Sequence, residues 1–249
     1  MPPQTIIDVL IPAYNEEDAL PLVLNAIPKD WVRQIIVCNN GSTDRTAEVA
    51  QAVGAVVVQE PRKGYGNACL AGMRYLKAMP PSEQPYIVVF LDGDYSDYPE
   101  ELPKVVAPIL HDGVDMVIGS RLLMPLPPGA MTFPQRFGNR LSSRLIRMLY
   151  GYQFTDLGPF RAILWSVLLD LDMRDKNYGW TVEMQIKAAQ QGLRVQEVPV
   201  RYRPRAAGKS KVSRTLKGAI LAGSKILGLT ALLAFRHRFL NNSSTTKNN

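Results

Sequence analysis

The chain has 249 residues, a formal net charge of +7, two cysteines and two histidines. That length suits one large domain with an appendage, and 46% hydrophobic residues exclude a disordered chain. Two cysteines exclude a disulfide-built scaffold, and the widely separated His111 and His237 exclude a histidine-based metal centre. The charge is lopsided: residues 1–200 carry 18 Lys and Arg against 22 Asp and Glu, whereas residues 201–249 carry 11 and no acid. A basic end on a mildly acidic body implies a polyanionic partner such as a membrane surface, a phosphate-bearing substrate or a nucleic acid.

In chain order, Ile6–Ile11, Gln34–Cys38, Ala55–Val58, Tyr86–Leu91 and Asp115–Ile118 are short apolar runs that predict strands. Glu17–Ile27, Thr43–Val53, Gly66–Met79 and Pro99–Leu110 predict the helices between them. This alternation implies βαβ units, a mostly parallel sheet and a ligand beyond the strands' carboxyl ends. Then come a Pro-rich apolar loop, "LLMPLPPGAMTFP", read as a lid or acceptor-side loop, and a basic helix over Gln135–Tyr150. "TVEMQIKAAQQG" reads as a helix and "RVQEVPVRY" as a strand. Leu216–Phe235 is apolar but contains Lys217 and Lys225, which fits a helix lying in a membrane interface better than a span. "NNSSTTKNN" has the composition of a disordered tail. The N-terminus lacks the charged start and long apolar stretch of a signal peptide, and Cys38 and Cys69 read as core residues of a reduced compartment.

Four predicted strands end in polar clusters: "PAYNEE" (12–17), "NNGSTD" (39–44), "DGDYSD" (92–97) and "GSR" (119–121). Any one is ordinary turn chemistry; four on one sheet edge make a site. Asp92 and Asp94, separated only by Gly93, repel one another unless a cation or ligand sits between them. A diphosphate with Mg²⁺ or Mn²⁺ supplies that cation, with Asp94 as direct ligand and Asp92 toward a ribose or the metal's water shell. Asp44 can accept from a base or ribose while Asn40 and Gly41 shape the turn, and it also fits the first turn of a capped helix. "RKGYGN", containing Lys63 and Gly64, suits a backbone-lined approach to phosphate. Arg121 is placed to neutralise a diphosphate leaving group.

These motifs, together with "KGYGNA", "TDLGPFRAI" and "VPVRYRPRAAGKSK", resemble in order and spacing the inverting family 2 glycosyltransferases of GT-A fold. The similarity covers roughly residues 5–215 and is strongest to the dolichyl- or polyprenyl-phosphate mannose and glucose synthases. It implies an α/β domain over 1–212, followed by a membrane-associating amphipathic helix over 213–240 and a tail over 241–249. It also implies that Pro12, Tyr14, Glu16, Asn40 and Asp44 bind the nucleoside, that Lys63, Gly64 and Arg121 serve the donor, and that Asp92 and Asp94 bind ribose and metal. Arg136, Arg205, Lys209 and Lys211 would hold an acceptor phosphate. Ser96 stands where lipid-phosphate members often carry a Gln metal ligand, and this weaker ligand implies looser metal binding or a different donor.

The expected reaction moves a hexose from GDP-mannose or UDP-glucose to a polyprenyl phosphate, with inversion, by an enzyme peripheral at the inner face of the cytoplasmic membrane. A hydroxyl acceptor would instead need a base, for which Glu183 and Asp156 are the candidates. A sugar-phosphate nucleotidyltransferase would carry a Gly-rich loop after its first strand, which "PAYNEE" lacks. A non-enzymatic basic protein on anionic membranes would leave the strand-end motifs idle. No nucleic-acid partner is expected, because aromatic residues do not interleave with the tail's basic ones. A homodimer stays open.

Overall fold

Every residue of β1 (Ile7–Ala13) is buried, as expected of a strand covered on both faces. In the structure, a computed structural model that describes residues 5–206, it lies inside a seven-stranded sheet. The other strands are β2 (Gln34–Asn39), β3 (Val56–Gln59), β4 (Ile87–Phe90), β5 (Met116–Ser120), β6 (Arg161–Leu164) and β7 (Val195–Pro199), in the spatial order β3-β2-β1-β4-β6-β5-β7. All pairings are parallel except those of β6, which runs antiparallel to both β4 and β5.

Side chains alternate across the sheet into two cores. Leu10, Ile36, Val88, Phe90 and Ile118 face α3 (Tyr65–Lys77), α5 (Phe133–Tyr150), α6 (Trp165–Asp170) and α7 (Trp180–Gln190). Val9, Ile11, Val37, Val89 and Val117 face α1 (Leu20–Ala26), α2 (Thr46–Ala52) and α4 (Leu102–His111). The result is three layers, with the carboxyl ends of β1, β2, β4 and β5 opening on one edge, as the alternating pattern predicts.

The differences from the predicted elements have local causes. Thr43 and Asp44 are not helical because their side chains tie down neighbouring loops, so α2 starts at Thr46. The region predicted as one helix from Pro99 begins with a tight turn over Pro99–Glu101 before α4. Strand β6 was not predicted: only four residues long, it starts with a fully buried arginine, Arg161, which breaks the apolar pattern. The basic helix starts two residues early because Thr132 and Gln135 form a reciprocal capping box. Lys209, Lys211, the boundary at 212, the amphipathic helix over 213–240 and the tail over 241–249 lie outside the described residues. Among the described residues, no helix is long and apolar enough to cross a membrane.

Candidate active site

The loops after β1 and β2 are stitched together by short polar side chains. Asn15 N–H donates to Ser42 Oγ (3.0 Å), Thr43 N–H to Asn15 Oδ1 (2.8 Å) and Glu16 N–H to Thr46 Oγ1 (2.8 Å). Asp44 accepts from Thr46 N–H (3.0 Å), from the Thr46 hydroxyl and from Glu17 N–H (3.3 Å). Its carboxylate thus ties the start of α2 to the first loop, from a position before the N-cap Arg45 and not from within the helix's first turn.

Asn40, nearly buried, fixes the next loop. Its amide donates to Glu60 O (3.2 Å) and Arg62 O (2.7 Å), and its Oδ1 accepts from Gly64 N–H (2.7 Å). Lys63 then reaches back over the first loop, its Nζ 3.1 Å from the Tyr14 hydroxyl. Gly64 and Gly66 meet protein backbone and not an open cradle: a Cβ at Gly66 would lie 1.9 Å from Asp175 O, and one at Gly64, where φ is +137°, 2.1 Å from Lys176 O. The N-terminus of α3 is likewise capped from within, since Gly66 N–H donates to Asn177 O and Asn67 N–H to Lys176 O. Residues 175–177 therefore pack directly against the side of this loop where a Cβ at Gly64 or Gly66 would lie. Pro12 is buried inside β1, opposite Cys38, so it shapes the strand end.

Beyond β4 the carboxylates converge. Tyr65 donates its hydroxyl to Asp92 Oδ1 at 3.0 Å. Burial, reinforced by the charge of Asp94, pushes the Asp92 carboxyl up to about 7. Asp94 Oδ1 accepts from Ser96 N–H (2.9 Å), while its Oδ2 lies 3.2 Å from Arg205 Nη1. The same guanidinium is paired with Glu16, so the ends of β1 and β4 clamp one cation brought from beyond β7. Asp94, which already draws in a cation, with the Asp92 carboxyl two residues before it, fits a hard divalent ion such as Mg²⁺ or Mn²⁺. Among the described residues no group of three or more His, Cys, Asp and Glu side chains is arranged to hold a metal, so phosphate oxygens and water must complete any shell.

The segment carrying Arg205 is itself laced to the carboxylate loop. Arg203 stacks on Tyr95 and Tyr98, its Cζ 3.5 and 4.0 Å from the ring centroids, and donates to Tyr95 O (2.7 Å) and Asp97 O (3.1 Å). Arg201 lies over Tyr98 and pairs with Glu101. The sequence reading missed this interlock of "RYR" with "YSDY", although the spacing of two aromatics against two arginines was there to be seen. It also missed Tyr65 and Asp97. The Asp97 carboxyl is buried with neither oxygen partnered, and burial raises it well above the usual carboxylate range.

Arg121 is held by Asp156, which accepts from Arg121 Nε (2.7 Å), Nη2 (2.7 Å) and backbone N–H (2.9 Å). Asp156 is fully buried, and although burial pushes its carboxyl up most strongly of any single cause, the Arg121 charge and the hydrogen bonds from Arg121 and Leu157 together lower it. Glu183 is also buried, accepting from Arg174 N–H (3.0 Å) and Asp175 N–H (2.7 Å) and pairing with Lys187 at 2.8 Å. At rest these contacts let Asp156 orient Arg121 and Glu183 hold the 174–175 loop. Arg136 is exposed on α5, and no contact joins it to the carboxylate cluster.

A mostly parallel sheet between helices, with a D-x-D pair at a strand end and arginines around it, defines a GT-A glycosyltransferase architecture. Residues 8–171 match the family model described as glycosyl transferase family 2. The chain belongs to that family and is a glycosyltransferase, which sets aside the non-enzymatic reading. It is 41% identical over 218 residues to an uncharacterized glycosyltransferase of Mycobacterium tuberculosis, covering 87% of this chain and 94% of that one. It is 35% identical to the dolichyl-phosphate hexose transferase of Haloferax volcanii (87% and 90% covered) and 31% identical to the undecaprenyl-phosphate mannosyltransferase of Micrococcus luteus (89% and 93% covered). A crystal structure of M. tuberculosis glucosyl-3-phosphoglycerate synthase with Mn²⁺, UDP and glucosyl-3-phosphoglycerate shares the fold, with a TM-score of 0.72, 24% identity and coverage of 92% and 80%.

Proposed function

We propose that this glycosyltransferase moves a hexose from a nucleoside-diphosphate sugar to a polyprenyl phosphate with inversion, at the cytoplasmic face of a membrane. One observation carries the choice of acceptor: both carboxylates that the sequence offered as a base are engaged by structural partners. Asp156 is buried against Arg121, and Glu183 against two backbone N–H groups and Lys187. A hydroxyl acceptor needs a base, whereas a phosphate oxyanion is already a nucleophile. The names of the Haloferax and Micrococcus relatives support the same acceptor class.

In the proposed step, an acceptor phosphate oxygen forms a bond to the anomeric carbon as the bond from that carbon to the diphosphate oxygen breaks, and the nucleoside diphosphate departs with the electron pair. A divalent ion held by Asp92 and Asp94 would supply charge neutralisation for the diphosphate. Arg121, with Nε and Nη2 engaged by Asp156, presents its remaining Nη1 as a fixed donor. Arg205, already beside Asp94, is positioned to exchange a carboxylate partner for a phosphate one.

The test is sugar transfer from a panel of GDP- and UDP-sugars to a short polyprenyl phosphate, with Mn²⁺ or with EDTA. Glycosylated lipid phosphate that forms only with metal is the expected product. Donor hydrolysis without a lipid product would overturn the acceptor and return the search to hydroxyl compounds and a base.

A further inference from the structure

The outward face of α5 is unlike the rest of the surface. Its exposed positions 133, 136, 137, 140, 144, 147 and 148 form one stripe at helical spacing, while Asn139, Ser142 and Ile146 turn inward. Three members of the stripe are large and apolar: Phe133 is 81% exposed, Phe137 59% and Met148 75%, and the two phenylalanine rings stack at 6.4 Å. The other four are Arg136, Arg140, Arg144 and Arg147, and none forms an ion pair among the described residues. Elsewhere arginines are routinely paired, as Arg33, Arg62, Arg121 and Arg201 are. From Leu122 to Thr155 the sequence contains no Asp or Glu.

We infer that this face of α5 docks onto an anionic lipid surface, with Phe133 and Phe137 entering the acyl boundary and the arginines meeting headgroup phosphates. Charge complementarity selects the occupant. A second copy of the face would bring four more arginines against these four. Residues 207–249 contain eight Lys and Arg and no acid, so they too are repelled. An anionic bilayer satisfies both halves of the stripe.

The surface is also wired to the active site. Asn139, on the inner side of α5, donates to Thr155 O (2.8 Å) and accepts from Leu157 N–H (2.7 Å), gripping both neighbours of Asp156. A helix lying on the bilayer would therefore hold the Arg121–Asp156 pair at the membrane, where a lipid-linked acceptor resides. The inference deepens the proposed acceptor and rests on it for its purpose, but it is tested without sugar transfer.

The full chain carrying Phe137→Cys is labelled with an environment-sensitive fluorophore; Cys38 and Cys69 are fully buried, which directs the label to position 137. Vesicles of equal parts phosphatidylglycerol and phosphatidylcholine should shift the emission to the blue and brighten it, and pure phosphatidylcholine should do so far less. Arg136→Gln with Arg140→Gln should weaken the response roughly 10-fold or more, the scale expected for two arginines at an anionic surface. Vesicles that sediment the protein without changing the emission would overturn the inference, placing the contact elsewhere on the chain. A shift produced by raising protein concentration alone, or by RNA in place of vesicles, would overturn it in favour of a copy of the chain or a nucleic acid. Docking without transfer to polyprenyl phosphate would keep this surface and remove the acceptor.

Discussion

Arg121 and Asp156, 35 positions apart in sequence, form a two-pronged buried pair with both N–O distances at 2.7 Å. Removing the carboxylate leaves a guanidinium buried and uncompensated, so Asp156→Ala should cost about 3–5 kcal/mol. Chemical denaturation measures this directly. A variant of unchanged stability that had lost only transfer would instead return Asp156 to the role of base.

Asp94→Asn should leave the fold intact, since the side chain is partly exposed at a strand end, while lowering transfer by ~10²-fold or more. Circular dichroism and initial rates at saturating donor separate the two effects. Near-normal turnover would remove Asp94 from the charge-stabilising group.

Arg205 competes for the carboxylate that a metal would use. With Arg205→Gln, donor-free Mn²⁺ binding followed by electron paramagnetic resonance should tighten by up to about fivefold, the worth of one partly exposed ion pair. Donor binding should weaken in the same variant, because a cation facing the diphosphate is lost. Unchanged Mn²⁺ affinity would mean that the Asp94 contact does not oppose the metal.

Gly66→Ala places a Cβ 1.9 Å from a backbone carbonyl, against which no side chain can yield. The 175–177 loop or α3 must shift, at roughly 1–3 kcal/mol. A lowered thermal midpoint is expected, and an unchanged one would mean that the loop moves freely away from α3.

Glu60 is held down to about 2 by its hydrogen bond to Arg62, with Arg74 adding to the effect against the opposing pull of burial. Because the folded value lies below the ordinary 4.5, the pair stabilises the fold above about pH 4.5 and loses that contribution as pH falls toward 2. Urea midpoints of the parent chain and Glu60→Gln should therefore differ most near neutrality and converge in acid. A gap independent of pH would assign the effect to packing.

The sequence by itself determined the alternating strands and helices, the parallel sheet and the edge on which the polar motifs gather. These depend on short-range patterning: uninterrupted apolar runs where both faces of a strand are buried, and helical periodicity between them. It also marked Asp92, Asp94 and Arg121 as members of one site. Only the tertiary structure decided what each side chain does there. Asp156 reads in sequence as a possible base, and the fold sets the guanidinium of Arg121, just beyond β5, against it; Gly64 and Gly66 read as a backbone-lined approach to phosphate, and the fold packs the 175–177 backbone where their Cβ atoms would lie. Arg205 comes from beyond β7 to bridge Glu16 and Asp94, 189 and 111 positions away. A carboxylate's role follows from which charge lies within a few ångströms and how much water is excluded, and both are set by long-range packing that local sequence does not encode.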